Sequence, residues 1–141
     1  MRYADFIRKV EARAAGGLEP ERAEDVTRAV LGALADCLRP DVGQRLAAQL
    51  PKQLHPALRA ARVAGSQPQA DFFIARVCER GGLSRSEAFD HTRAVLNVLA
   101  EAVTGRELEH VRSELPVSFE TLFMPPAAAR WPEMHAPRPD S

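Results

Sequence analysis

The chain has 141 residues, with 19 basic and 19 acidic side chains that give a formal net charge of zero at pH 7. This length suits one compact domain or two small units that share a core. Zero net charge argues against a protein that binds nucleic acid mainly through the phosphate backbone, because such binding needs an excess of basic side chains. The sequence has no apolar run of about 18 residues to span a membrane, no secretion signal, and only two cysteines, which excludes a disulfide framework. We therefore expect a cytoplasmic protein without a membrane segment.

The first half of the chain is predicted to form three helices separated by turn residues. An opening amphipathic helix ends at Gly16-Gly17, and Pro20 stands at the first position of a long helix, where its missing N–H costs nothing. Pro51 ends the third helix, and a short helical segment is expected from Gln53 to Arg62. The long and third helices carry the apolar stripe of a helix packed on a core, formed by Ala23, Val26, Val30, Leu31, Leu34, Leu38, Val42, Leu46 and Leu50.

The second half follows the same order. A helix from Asp71 to Arg80 should end at Gly81-Gly82, because glycine tolerates the left-handed conformation at a helix C-terminus. Ser84 and Glu87 then have the spacing of a capping box at the start of the next long helix. Its apolar stripe consists of Ala88, Val95, Leu96, Leu99 and Val103.

The third helix of this half is predicted to begin with another capping box, formed by Thr104 and Glu107. Leu108, Val111 and Leu115 form its apolar side, and a short helical segment is expected from Ser118 to Phe123. Valine and isoleucine do not alternate with polar residues anywhere in the chain, so strands have little support. The sequence predicts an all-α fold.

The two halves repeat one another in sequence. Gly16-Gly17-Leu18 recurs as Gly81-Gly82-Leu83, and Thr27-Arg28-Ala29-Val30-Leu31 recurs as Thr92-Arg93-Ala94-Val95-Leu96, both with a shift of 65 positions. Upstream, Asp5-Phe6 matches Asp71-Phe72 with a shift of 66, which would give the first copy one extra residue. Repetition of this kind indicates a duplicated unit.

The repeat sets the expected domain organisation. One unit of about 60 residues buries little surface alone, so we expect the two helical repeats to pack into a single pseudo-twofold domain with the long helices at its centre. The first repeat covers 1–64, a linker covers 65–69, the second repeat covers 70–124, and a Pro/Ala-rich tail covers 125–141.

The Asp-Phe helix, the Gly-Leu turn, the Thr-Arg-Ala-Val-Leu helix and the Leu-Pro stop together resemble the family called domain of unknown function 2267. The resemblance covers roughly Tyr3 to Phe123 and is most specific at Thr92 to Leu96 and at Gln49-Leu50-Pro51. It implies a small, mostly helical, duplicated bacterial protein without an assigned activity. It therefore implies no catalytic residue.

Each long helix carries an acidic and a basic residue three positions apart, Asp25 with Arg28 and Asp90 with Arg93. Side chains at this spacing can meet, and such a pair stabilises a helix by about 0.2–0.5 kcal/mol. Because the pair occurs in both copies, a structural role is favoured. The alternative is that Arg28 and Arg93 bind an anion across the pseudo-twofold axis.

His91 takes the position that Val26 occupies in the first copy, on the core side of the long helix. A buried histidine can act as a base or a pH sensor, and Cys78 on the preceding helix could face it as a nucleophile. No third orienting group or oxyanion loop accompanies the two, so we predict no catalytic residue. A second hypothesis is an apolar ligand pocket between the copies, lined by Phe73, Val77, Cys78, His91 and Val95.

No cofactor or metal site is predicted. The four histidines are scattered, and neither a Cys-x-x-Cys nor a His-x-x-x-His spacing occurs. Gly16-Gly17 and Gly81-Gly82 lack the flanking lysine or the preceding strand of a phosphate-binding loop. The best basic cluster, Lys52, Arg59 and Arg62, belongs to a surface of mixed charge, so nucleic-acid binding is disfavoured.

The tail holds five of the eleven prolines and the single tryptophan. This composition is typical of an extended or disordered segment. Two hypotheses concern Trp131. It anchors on a partner as a short linear motif, or it folds back and covers an apolar spot on the helices.

Symmetric helices without a polar, loop-built cleft favour a non-enzymatic interaction or adaptor protein, with an unidentified protein partner or self-association. The alternative is a protein that binds a small molecule or lipid, or an enzyme, with its pocket between the repeats. DNA binding ranks third.

Overall fold

The computed structural model describes residues 1–59 and 69–124, and all regular structure within these ranges is helical. The predicted all-α class is therefore confirmed. The tail at 125–141, including Trp131, lies outside the described residues, as do positions 65–68 of the predicted linker. The helices are α1 (Tyr3–Arg13), α2 (Pro20–Ala35), α3 (Pro40–Ala48), α4 (His55–Arg59), α5 (Ala70–Gly81), α6 (Arg85–Ala102) and α7 (Gly105–Ser113), with 3-10 helices at Lys52–Leu54 and Val117–Phe123.

The predicted helix ends around the turn between α5 and α6 are confirmed. Gly82 follows α5 with a φ of 62°, the left-handed conformation that glycine adopts without strain. The backbone N–H of Glu87 donates to Ser84 Oγ at 3.1 Å, and the N–H of Ser84 donates to Glu87 Oε1 at 2.9 Å. Both bonds of the capping box are thus present at the start of α6.

The second predicted capping box is only half formed. The N–H of Glu107 donates to Thr104 Oγ1 at 3.2 Å, as expected. The reciprocal bond is replaced, because the N–H of Thr104 donates to Gln49 Oε1 at 2.8 Å and Glu107 Oε2 instead lies 3.4 Å from Arg45 Nε. Contacts with the other half of the chain therefore take over both groups.

The core lies around the two long helices, which contact each other. Each opening helix packs on the long helix of both halves, since α1 contacts α2 and α6 while α5 contacts α6 and α2. The third helices, α3 and α7, also contact each other. Every residue of the predicted apolar stripes on α2 and α6 is buried.

The burial pattern of the opening helices corrects the predicted match between them. Phe6, Ile7 and Val10 are buried on α1, and the same pattern recurs on α5 as Phe73, Ile74 and Val77. The shift is therefore 67, not 66, and Phe72, which the sequence paired with Phe6, is 56% exposed. The sequence match was wrong because it followed the Asp-Phe dipeptide, whereas packing selects the helix face that meets the core.

A buried carboxylate joins α2 to α5. The side chain of Asp36 is fully buried, and its Oδ2 lies 2.5 Å from Arg76 Nη1 and 2.8 Å from Arg80 Nη2. Gly32, one turn earlier on α2, makes room for this contact, since a Cβ there would stand 3.0 Å from the Arg80 guanidinium. The end of the first long helix is thereby tied to the second opening helix.

A similar contact joins α6 to α1. Glu101 Oε1 lies 2.7 Å from Lys9 Nζ, and its Oε2 lies 2.5 Å from Arg13 Nη2. Glu101 stands 65 positions after Asp36, and its two cations stand 67 positions before those of Asp36. The shift of 65 is the one predicted for the long helices, and the shift of 67 is the one that burial shows for the opening helices, while the duplication itself stays a prediction.

Candidate interaction surface

The predicted ion pair of the first half lies on the surface. Arg28 Nη1 is 3.8 Å from Asp25 Oδ1, and both side chains are largely exposed. Arg28 Nη2 also lies within 3.3 Å of the Tyr3 hydroxyl, which donates to Glu24 Oε2 at 2.6 Å. Burial, followed by this bond to Glu24, raises the pKa of Tyr3 to about 12, so its hydroxyl keeps its proton.

The equivalent residues of the second half, Asp90 and Arg93, contact different partners. Asp90 Oδ2 accepts the N–H of Ala15 at 2.8 Å and lies 3.0 Å from His91 Nδ1, while Arg93 Nε donates to the Met124 carbonyl at 3.4 Å. Burial alone would raise the pKa of Asp90, but its hydrogen bonds with His91 and Ala15 outweigh burial and lower the pKa overall. Asp90 thus anchors the turn after α1.

The residues of the predicted ligand pocket lie in or against the core. Phe73, Val77 and Val95 are fully buried and His91 is 6% exposed, while Cys78 is half-buried and packs against the same cluster. His91 Nδ1 forms a hydrogen bond with Asp90 Oδ2. The structure therefore brings these residues together as packing partners within the core.

A shallow depression lies instead on the outer face of α6. It measures about 630 Å³ and is lined by Arg85, Ser86, Phe89, Asp90 and Arg93. Two of these residues, Asp90 and Arg93, were singled out from the sequence. We call this feature the Phe89 depression.

Phe89 itself was missed by the sequence analysis, although the repeat carries a signal for it. Phe89 lies outside the apolar stripe of α6. Its equivalent in the first half, 65 positions earlier, is Glu24. Phe89 is therefore an apolar side chain, 36% exposed, at a surface position where the first half carries a glutamate.

Large exposed apolar side chains are concentrated in the second half. Among the described residues these are Phe72, Phe89, Val117 and Met124, whereas the first half contributes only Met1. The Arg76 guanidinium stands 5.3 Å from the centre of the Phe72 ring, within the range of a cation–π interaction. The two halves thus differ in their surfaces more than in their cores.

A family model described as "Uncharacterized conserved protein (DUF2267)" matches residues 3–122. The chain belongs to the DUF2267 family. No curated protein matches it.

The match covers this DUF2267 chain from α1 into the final 3-10 helix, so Phe72 and Phe89 both lie within it and 125–141 lies beyond it. Within the described residues, no group of three or more His, Cys, Asp or Glu side chains is placed to hold a metal ion. No helix in that part of the chain is long and apolar enough to cross a membrane.

Proposed function

We propose that this DUF2267 protein is a small, non-enzymatic interaction protein of the cytoplasm that binds a protein partner through the outer face of α5. The observation that supports this proposal is the exposure of Phe72, an aromatic side chain whose ring is also in cation–π contact with Arg76. Aromatic residues and arginine are the types that most often dominate the binding energy of protein interfaces.

The fold supports a binding role rather than a chemical one. The titratable contacts between the halves, at Asp36 and Glu101, are occupied in holding helices together. Among the described residues the largest fully buried side chains are apolar, and they belong to one core cluster. A helical scaffold that exposes aromatic side chains on its surface is suited to presenting a docking face.

The test is a pair of variants that take the residue of the other half. Phe72→Asp introduces the residue found at the equivalent position 5, and Phe89→Glu introduces that found at position 24. A photo-crosslinking amino acid near Phe72, at position 75, should capture a discrete product in the producing cell, and Phe72→Asp should abolish that product while Phe89→Glu retains it.

Sedimentation of the purified protein then separates the two kinds of partner. A dimer that Phe72→Asp converts to monomer identifies a second copy as the partner, whereas a monomer points to a different protein. No discrete product at position 75, together with a monomer insensitive to Phe72→Asp, would contradict the proposal.

The alternative, binding of a small molecule or lipid between the halves, requires the buried cluster around Phe73 and Val95 to open. A reproducible rise in melting temperature with one ligand class would favour it. DNA binding, the third hypothesis, predicts a rise in anisotropy of a labelled duplex at low salt.

A further inference from the structure

We propose that the C-terminal segment 125–141 binds back onto the Phe89 depression of its own chain, with Trp131 filling the place that Tyr3 fills in the first half. This inference goes beyond the proposed function and concerns a different face of the molecule. It rests on a comparison of equivalent positions in the two halves.

In the first half, an aromatic ring joins the start of α1 to the outer face of α2. The Tyr3 hydroxyl contacts both Glu24 and Arg28, which lie four residues apart on α2. In the second half, the shift of 67 places Ala70 at the position of Tyr3, and the shift of 65 places Phe89 at that of Glu24. Among the described residues, the second half therefore has Phe89 as an apolar floor and no aromatic ring at the position of Tyr3.

The backbone at Met124 lies beside Arg93, at the position where Tyr3 lies beside Arg28 in the first half. Arg28 lies 3.3 Å from the oxygen of Tyr3, and its equivalent, Arg93, donates to the carbonyl oxygen of Met124 at 3.4 Å. Met124 is the last described residue, so the segment 125–141 begins at the rim of the Phe89 depression. An oxygen of the backbone thus contacts Arg93 where a phenol oxygen contacts Arg28.

The distances allow Trp131 to reach the depression. It follows Met124 by seven residues, which span up to about 23 Å when extended. Phe89 lies one helical turn before Arg93, or about 6 Å along α6. A short tether of this kind gives an effective concentration on the order of millimolar, so even a weak contact is populated.

The chemistry of the depression suits an indole ring. Aromatic rings pair favourably with Phe89 in offset or edge-to-face arrangements, and the guanidinium groups of Arg85 and Arg93 at the rim can stack on a tryptophan face. The occupant is therefore assigned as the aromatic residue of this chain's own tail.

Trp131 is the single tryptophan, so its fluorescence reports on this contact alone. In the full chain we expect emission shifted to the blue of free tryptophan and protection from acrylamide. Phe89→Glu should move the emission to that of tryptophan in water and raise the quenching constant at least twofold. The matched control, Phe72→Asp, should leave both unchanged.

A second variant tests the equivalence with Tyr3 directly. Ala70→Tyr supplies the missing ring and should release Trp131, with the same red shift as Phe89→Glu and no loss of far-ultraviolet helical signal. Water-like emission in the unaltered chain would overturn the proposal, as would a blue-shifted emission that neither variant changes. A blue shift that disappears on dilution together with a dimer would assign the depression to the tail of a second copy and overturn binding within one chain.

Discussion

Asp36, whose side chain is fully buried at the end of α2, lies 2.5 Å from Arg76 on the opening helix of the other half. Arg80 shares the same carboxylate oxygen at 2.8 Å, and the second oxygen, Oδ1, is buried without a hydrogen-bond partner among the described residues. Two cations on one carboxylate hold α5 against α2. A fully buried carboxylate of the first half is therefore neutralised by two arginines of the second half.

Asp36→Asn should destabilise the protein by about 3 kcal/mol, because two partly buried guanidinium groups lose their counter-charge. Urea unfolding followed by circular dichroism measures this change. Glu101→Gln is the matched control, since it removes the corresponding carboxylate at a site where that side chain is 42% exposed. It should cost less than about 1 kcal/mol, and equal losses for the two variants would contradict the role assigned to burial.

Thr27 and Thr92 occupy equivalent positions on the two long helices, and replacing such a threonine by valine should stabilise the protein. Thr27 and Thr92 are fully buried, and within the described part of the chain neither hydroxyl has a hydrogen-bond partner. Thr92→Val removes a buried, unpaired hydroxyl at nearly constant volume, so it should raise stability by about 1 kcal/mol.

Thr104→Val provides the comparison for this prediction. The Thr104 hydroxyl caps α7 by accepting the N–H of Glu107, and loss of such a cap costs about 1 kcal/mol. Thermal unfolding of the two variants should therefore shift the midpoint in opposite directions. A lowered midpoint for Thr92→Val would show that its hydroxyl is satisfied in solution.

Acidification should weaken the link between α1 and α6. The hydrogen bond from Lys9 is the main reason that the pKa of Glu101 lies below its usual value, with Arg13 adding to it. A carboxyl whose pKa is lower in the folded state stabilises the fold above the unfolded-state pKa, and this contribution disappears as the pH falls through the folded-state value.

The difference in unfolding free energy between the unaltered chain and Glu101→Gln should therefore be constant from pH 7 to about pH 5 and shrink below the ordinary glutamate pKa of about 4.3. Urea titrations at several pH values measure it. A difference that grows on acidification would contradict the assignment.

Cys37 should resist alkylation in the folded protein. Burial raises the pKa of its thiol to about 12, with the nearby Asp36 charge acting in the same direction, so almost no thiolate exists at neutral pH. Mass spectrometry after iodoacetamide treatment at pH 8 should find Cys37 unmodified in buffer and modified in urea. Rapid modification under native conditions would show that the end of α2 opens readily.

The local features that the sequence predicted well are those set by nearest neighbours along the chain. The Ser84–Glu87 capping box and the apolar stripe of α2 depend on residues within one or two helical turns, so spacing alone identifies them. His91 was likewise expected on the core side of α6, and it is buried there.

The features that sequence reasoning missed depend on contacts across the chain. Glu107 was assigned to a capping box, but Arg45 on α3 lies close to its carboxylate. Phe72 was matched with Phe6 by its neighbour in sequence, yet the face of α5 that meets the core places Phe73 inside. Neither outcome is encoded within one helix, because each is decided by what the opposite half presents.

The packing of α1 on α6 and of α5 on α2 means that neither half closes its core from its own helices. A fragment ending near residue 59 would leave the apolar side of α2 without α5, and one starting near residue 69 would leave α6 without α1. We therefore expect the described helices of both halves to unfold in one cooperative transition.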